Sequence, residues 1–254
     1  MVGLVLVDGW WFLRKYTPFV DRDLYFPTTP TIEFLKKDPD IFRVERESAE
    51  LMPANMWHEY GLMSTSGYDP MYPKDYSQYL IDRGVRSVHG RYVENGNKNI
   101  DKLDGLGIKY LLVLERDGKW PIWVDKSAWR EVYREGKVIT LENTSFQPPY
   151  RMIGKGKVDL IKWQDGEIVL ETETEKLDQL VVMTNYSDNW RVVVNGRLVS
   201  PKRFENTFIL IDQAAGKNKT EMKYVSREWQ EGWVIAVIAA IAWMMGVKYI
   251  RHEN

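Results

Sequence analysis

Near the end of the chain the alternation of polar and apolar positions stops. The stretch GWVIAVIAAIAWMMGVKYI runs from Gly232 to Ile250 and carries no charge from Gly232 through Val247. A helix over Gly232–Ile250 reaches roughly 27–29 Å at about 1.5 Å per residue, close to the thickness of a hydrocarbon core. Trp229 and Trp233 at one end and Tyr249 at the other suit the headgroup level, and Lys248 and Arg251 close the far end, Lys248 able to snorkel outward. The pattern predicts a transmembrane helix; the alternative is a buried helix of a soluble core, which ordinarily keeps a polar face. Gly232, Ala236 and Ala240, like Ala242 and Gly246, recur every fourth residue. That spacing lets helices pack closely in a bilayer, or simply reflects the composition of spanning helices.

The opening residues, MVGLVLV, are apolar only as far as Asp8. They read either as the last turns of a membrane helix or as a strand over Gly3–Val7. Pro18, Pro27 and Pro30 keep the next segment extended. A short helix follows from Thr31, with Thr31 as its cap and Glu33 in its first turn, then a strand over Ile41–Glu45 and a loop from Met52 to Pro73. Asp75–Asp82 has helical spacing, with Tyr76, Tyr79 and Leu80 on one face. Asn99–Leu106 reads as a helix stopped by Gly107, and Ile108–Leu114 as a buried strand.

From Trp120 the period becomes two. Strands are expected at Val132–Tyr133, Lys137–Leu141, Tyr150–Ile153, Val158–Trp163, Glu167–Glu173, Gln179–Thr184, Arg191–Val194, Phe208–Ile211 and Thr220–Val225. Asp165-Gly166, Asn195-Gly196 and Gly216 mark turns, and Arg191–Val199 is the clearest hairpin. The expected fold is α+β: a mixed α/β segment followed by a jelly-roll-like β-sandwich, plus one C-terminal transmembrane helix. The expected divisions are a membrane-helix remnant and connector (1–16), an α+β segment (17–118), a sandwich (119–228), the spanning helix (229–250) and a cytoplasmic tail (251–254).

Composition narrows the chemistry. Lys+Arg 35 against Asp+Glu 36 leaves no basic surplus for a nucleic-acid partner, and the absence of cysteine removes disulfides and thiolate metal sites. Eleven Trp and fourteen Tyr fit both a sugar-contacting surface and a large aromatic core. No P-loop, GxGxxG, HExxH or GxSxG pattern is present. His58, His89 and His252 are far apart and none has a partner at metal spacing, so no metal is expected. His58-Glu59 reads as an acid–base pair or as ordinary loop residues. The least generic stretch is MWHEYGLMSTSGYDPMYP, from Met56. Gly67 permits a tight turn, Asp69 is placed to cap the helix that follows, and Tyr68 and Tyr72 offer flat amphipathic faces. Tyr68, Asp69, Tyr72 and Trp190 are the ligand-binding candidates; a loop folded on its own aromatics, and a core tryptophan, are the plainer alternatives.

Several of these segments together resemble a known family. Phe42-Arg43-Val44, Tyr60-Gly61-Leu62, Ser66-Gly67-Tyr68-Asp69-Pro70-Met71-Tyr72-Pro73 with Tyr76, and Leu103–Tyr110 (LDGLGIKY) are similar to elements of the YfhO-like membrane proteins of bacteria and archaea. Val181–Gly196 resembles the family's late hairpin, with Asn189 where Gly is usual and Asn195 where Asp is frequent. The resemblance implies a lipid-linked-sugar glycosyltransferase of the GT-C type, which moves sugar from a polyprenyl-phosphate donor to a cell-surface glycan or glycopolymer outside the membrane. In that family the catalytic acid lies in an early loop between membrane helices, with no counterpart here, so the catalytic residues stay unknown. The chain would be the extracytoplasmic domain and last membrane helix, inactive alone, with no cofactor and with the lipid bilayer and other transmembrane helices as partners. Lys248 and Arg251 place the C-terminus inside and the main domain outside, which requires a membrane core upstream. The competing class is a non-enzymatic, membrane-anchored carbohydrate-binding or protein-interaction module.

Overall fold

The computed structural model describes residues 2–16, 21–69, 71–84, 92–93, 100–103 and 105–252. Pro18, Pro70, His89, Asn99 and Asp104 lie outside the described residues, as do the side chains of residues 245–252. The chain opens with helices α1 (Val2–Tyr16), α2 (Arg22–Tyr25) and α3 (Pro30–Lys36). The opening apolar residues are therefore helical rather than a strand. In α3, Pro30 sits where its missing N–H is not needed. Thr29, not Thr31, caps the helix, its Oγ1 accepting from Ile32 N at 3.3 Å. Thr31 instead donates to Glu135 Oε2 through its hydroxyl (2.6 Å) and its N–H (2.9 Å).

Next come β1 (Arg43–Arg46), α4 (Met56–Glu59), β2 (Gly67–Tyr68), α5 (Lys74–Asp82) and β3 (Tyr92–Val93). A single 3-10 turn, Ile100–Leu103, stands where a helix to Leu106 was expected. Then follow β4 (Ile108–Leu114), β5 (Trp129–Glu135) and β6 (Val138–Asn143). β4 pairs parallel with β1 and antiparallel with β6, giving the sheet order β1-β4-β6-β5, while β2 and β3 form a separate ribbon. The remaining strands are β7 (Tyr150–Met152), β8 (Lys157–Gln164), β9 (Glu167–Thr174), β10 (Asp178–Asn185), β11 (Trp190–Val194), β12 (Arg197–Val199), β13 (Lys202–Phe204), β14 (Phe208–Gln213) and β15 (Gly216–Tyr224). They make two further sheets, β13-β14-β10-β7 and β12-β11-β15-β9-β8, and α6 (Arg227–His252) ends the chain. The β11–β12 hairpin turns through Asn195 and Gly196 at φ 50° and 78°, the paired left-handed conformations that this turn needs.

Three apolar clusters alternate with the three sheets. Ile32 and Leu35 of α3 and Trp57 of α4 pack with Tyr110 and Leu112 on one face of β4. On its other face, Leu111 and Val113 join Ile139 and Leu141 of β6 and Val181, Met183 and Phe208 of the middle sheet. The opposite face of that sheet contributes Leu180, Val182, Ile209 and Ile211 to a third cluster with Ile168, Leu170, Val192 and Met222. β4 and β10 are thus buried on both sides, which is why they read as apolar runs rather than as alternation. In the outermost sheet the alternation is kept. Ile168 and Leu170 face inward while Glu171 and Glu173 face outward, opposite Lys219 and Lys217 of β15. Thr172, Gln213 and Thr220 extend the inner face as a buried polar chain, Thr172–Gln213 at 3.0 Å and Gln213–Thr220 at 3.1 Å.

The expected architecture is corrected. The molecule is mostly β-sheet with one C-terminal helix, and the hairpin β5–β6 completes the first sheet instead of joining the strands after it. Among the described residues no helix is long and apolar enough to cross a membrane. α6 begins with Arg227, Glu228, Gln230 and Glu231, so its uncharged part starts late. From Gly232 to Val247 it covers only about 24 Å at about 1.5 Å per residue, against about 30 Å of hydrocarbon. Its described side chains are nonetheless exposed and apolar, including Trp229, Trp233, Ile235, Ile238 and Trp243, as are Leu4, Val5, Trp10 and Trp11 of α1.

The LGIKY element is a structural joint. At Gly107 (φ 79°) a Cβ would come within 2.9 Å of Pro149. Lys109 pairs with Asp38 and, at 2.8 Å, with Asp40, while Tyr110 donates to Asp38 Oδ2 at 2.6 Å. Burial raises the Asp38 carboxyl, but the bonds from Lys109 and Tyr110 outweigh it and hold the group below its ordinary value. Burial likewise pulls Lys109 down, and Asp38 and Asp40 overcome it, leaving Lys109 raised. Asp38's contribution is therefore complete above the unfolded carboxyl value and disappears as pH falls through the lowered one; Lys109's is complete below the ordinary amine value and disappears at high pH.

Two measurements follow from this packing. Leu180→Ala, on the outer-sheet side of β10, and Met183→Ala, on the first-sheet side, should each cost about 2–5 kcal/mol in urea unfolding, because both faces of the strand are core. Asp38→Asn should lower the urea midpoint at neutral pH and flatten the loss of stability that the parent chain shows below about pH 4.

Candidate functional site

The site begins with a buried charge. β1 reads Arg-Val-Glu-Arg, and Glu45 within it is 0% exposed. Its carboxylate is held by the segment that runs alongside. Oε1 accepts from Ser64 Oγ (2.8 Å), Thr65 N (2.6 Å), Thr65 Oγ1 (2.6 Å) and Ser66 N (3.1 Å), and Oε2 accepts from Ser66 Oγ (2.6 Å). A buried carboxylate is tolerated when its lone pairs are filled in this way. In return it fixes three successive residues, reinforced by Val44 N to Met63 O at 2.8 Å and Tyr76 OH to Thr65 O at 2.7 Å.

Above this floor lies an open cleft of about 550 Å³. One wall is α4 and its flanks. Asn55 adopts a left-handed backbone (φ 67°), and its amide clasps the backbone of Tyr68 both ways, Nδ2 to Tyr68 O at 2.7 Å and Oδ1 from Tyr68 N at 2.9 Å. Tyr68, Asp69 and Tyr72 all line the cleft, as do Trp57, His58 and Glu59. Asp69 does not cap α5, whose N-cap position is Pro73; its Oδ1 accepts from Met71 N at 2.8 Å and shapes the loop. Trp57 is 2% exposed, and among the described residues its indole N–H has no hydrogen-bond partner.

Asn185 enters the cleft from the middle sheet. The register of β10 against β14 shifts between Val182 and Asn185, an irregularity of the kind that re-aims side chains. Trp190 does not line the cleft. It packs edge-to-face on Tyr224, 5.4 Å between centroids, and donates from Nε1 to Asn185 O at 3.2 Å, so it supports the cleft through the Asn185 backbone. A smaller adjoining cavity of about 170 Å³ is bordered by Arg43, Tyr76 and Asn185. Arg43 donates to Leu106 O and, at 2.7 Å, to Met183 O, tying the first sheet to the middle one. Burial pulls its guanidinium below the ordinary value, with Tyr76 and Glu45 pushing back.

Of the residues singled out in the sequence, Tyr68, Asp69 and Tyr72 come together, and Trp190 stands behind them. Glu45, Asn55, Trp57 and Asn185 escaped the sequence reading. The available signal for Glu45 was a carboxylate in a strand that alternates charged and apolar residues, which also describes a solvent-facing position. Among the described residues no group of three or more His, Asp or Glu is placed to hold a metal ion. Glu45→Gln, which puts an amide N–H against hydroxyl and amide donors, should lower stability by about 2 kcal/mol. Urea denaturation checks the magnitude, and faster amide exchange at Thr65 and Ser66 checks the location.

A family model described as "Bacterial membrane protein YfhO" matches residues 132–236. No curated protein and no solved structure matches the chain. The matched stretch runs from β5 into α6, so it holds the Val181–Gly196 hairpin and Asn185, while the cleft residues from Asn55 to Tyr76 precede it. Over residues 132–236 this chain is similar to the YfhO family of bacterial membrane proteins.

Proposed function

We propose that this chain is the extracytoplasmic, glycan-handling part of a membrane glycosyltransferase of the GT-C type. The donor is a sugar on polyprenyl phosphate and the acceptor is a cell-surface glycan or glycopolymer. Transfer chemistry is assigned to a membrane core outside these 254 residues, so the chain alone is inactive. The YfhO-like stretch supports a membrane glycosyltransferase-like protein. The observation that carries the rest is the open cleft, lined by Tyr68, Tyr72, Asp69 and Asn185. Aromatic faces and fixed polar groups together match a sugar's apolar faces and hydroxyls. The exposed apolar surfaces of α1 and α6 are larger than a free soluble surface carries and support contact with other membrane components.

The test is made in the cells that carry the gene. Removing it should abolish incorporation of labelled sugar from polyprenyl-phosphate carriers into surface glycans, and the intact chain should restore it. Tyr68→Ala with Tyr72→Ala should restore it poorly. Protease added outside the cytoplasmic membrane should reach the sheets. Unchanged surface glycans on loss of the gene would defeat the reading and leave a binding or interaction module.

A further inference from the structure

Arg43 carries its charge at the small cavity of about 170 Å³ beside the cleft, and it keeps part of its surface open there. Its Nη1 and Nη2 bond the carbonyls of Leu106 and Met183, and both of those residues border the same cavity. Two carbonyls occupy two of the five N–H groups that a guanidinium presents. Among the described residues no carboxylate is in ion-pair contact with Arg43. Glu45 acts on it from a distance, and both Glu45 oxygens are already engaged by Ser64, Thr65 and Ser66. Burial therefore outweighs what Glu45 and Tyr76 restore, and the guanidinium stays below its ordinary value. A desolvated cation with no anion against it is unfavourable, and an oxyanion seated on it recovers that loss.

The irregularity in β10 supplies the other side of the cavity. Val182 pairs with Ile209 and Asn185 with Phe208, so Met183 and Thr184 have no partner in β14. The Met183 carbonyl is thereby available to Arg43, and Thr184 and Asn185 border the cavity beside it. Among the described residues neither of these two side chains makes a hydrogen bond. Asn185 also lines the larger cleft and so stands where the two spaces meet. A guanidinium, a hydroxyl and an amide thus border one small space whose apolar walls are Leu106, Met183 and Phe208. That donor set matches the oxygens of a single acidic group.

We infer that Arg43, Thr184 and Asn185 form a subsite for one singly charged oxyanion, a carboxylate or a phosphodiester, on a ligand that reaches in from the larger cleft. Arg43 donates from its guanidinium, Thr184 from its hydroxyl and Asn185 from its amide at the mouth. Glu45 sets the preference for a single charge. It lies two residues along β1 from Arg43, so the pair sums to no net charge, and a dianion meets more repulsion there than a monoanion. The subsite goes beyond the glycosyltransferase reading above and stands on the cavity independently of it.

The full chain, labelled with nitrogen-15 and kept in detergent, is titrated at about pH 8 while the Arg43 Nε–H resonance is followed. The probes are methyl glucuronide and glycerophosphoglycerol, each a monoanion, glycerol phosphate, a dianion at about pH 8, and uncharged methyl glucoside. At least one monoanion should shift the resonance saturably, and which one does so distinguishes a carboxylate source from a phosphodiester source. Glycerol phosphate and methyl glucoside should bind more weakly. Asn185→Ala, at an exposed position, should weaken monoanion binding about 10-fold. Asn185→Asp keeps the shape, places a negative charge at the mouth, and should weaken it further. No saturable shift with either monoanion, binding by methyl glucoside as tight as theirs, tighter binding by glycerol phosphate, or unchanged affinity in both Asn185 variants would overturn the inference. If a monoanion binds as expected but surface glycans do not depend on the chain, the glycosyltransferase reading fails and the subsite stands. If glycans depend on the chain and neither monoanion binds, the reverse holds.

Discussion

Burial of β4 and β10 on both faces is the constraint from which the rest of this structure follows. A strand with apolar side chains on both sides cannot lie at a surface, so each needs a layer above and a layer below. β4 takes α3 and α4 on one side and the middle sheet on the other; β10 takes the first sheet on one side and the outermost sheet on the other. Three sheets and three apolar clusters are the result. The two strands therefore link what would otherwise be a small mixed sheet and a separate pair of facing sheets. Arg43 repeats the link in polar form, bonding one carbonyl from each side.

The cleft sits where that stack leaves β1 at an edge. β1 is bonded to β4 on one side, and on the other it pairs not with a full strand but with the segment around Met63. The ladder is completed by Glu45, whose carboxylate gathers the donors of Ser64, Thr65 and Ser66. A segment held by one carboxylate rather than by a ladder is free to turn away, and β2, Asp69 and Tyr72 follow from that turn. Asn55 fixes the far side by bonding the Tyr68 backbone. The binding surface is thus built on irregular chain clamped by side chains, with the sheets behind it as a rigid support.

Similarity to a membrane-protein family over residues 132–236 and the absence, among the described residues, of a helix long and apolar enough to span lead to one physical point. Apolarity and length are separate requirements. α6 has exposed apolar side chains, yet its first turn is charged and its uncharged part is short. The same charged turn has a local purpose: Ser226 Oγ accepts from Trp229 N, and Glu228 accepts from Asn189 Nδ2 at 3.2 Å, fastening the start of the helix to the β10–β11 connection.

The sequence alone determined the strands of the second half, because period-two alternation, Asp165-Gly166 and Asn195-Gly196 are local signals that local sterics enforce. It also marked β4 and α5, and brought Tyr68, Asp69 and Tyr72 forward by their unusual setting. β13 escaped because Lys202–Phe204 is too short to show a period, and the cap of α3 moved to Thr29 because Pro30 can begin a helix. What only tertiary structure decided was partnership. The β5–β6 hairpin reads like its successors but pairs with β4, and strand period says nothing about which sheet receives it. Arg43 and Glu45 alternate with apolar residues as a solvent face would, and only the chain folding over them turns that face inward. Trp57 looks like one aromatic among many until the fold buries it with no hydrogen-bond partner for its N–H among the described residues. Local patterns specify conformation, while burial, and with it the chemistry of a site, depends on residues distant in the chain.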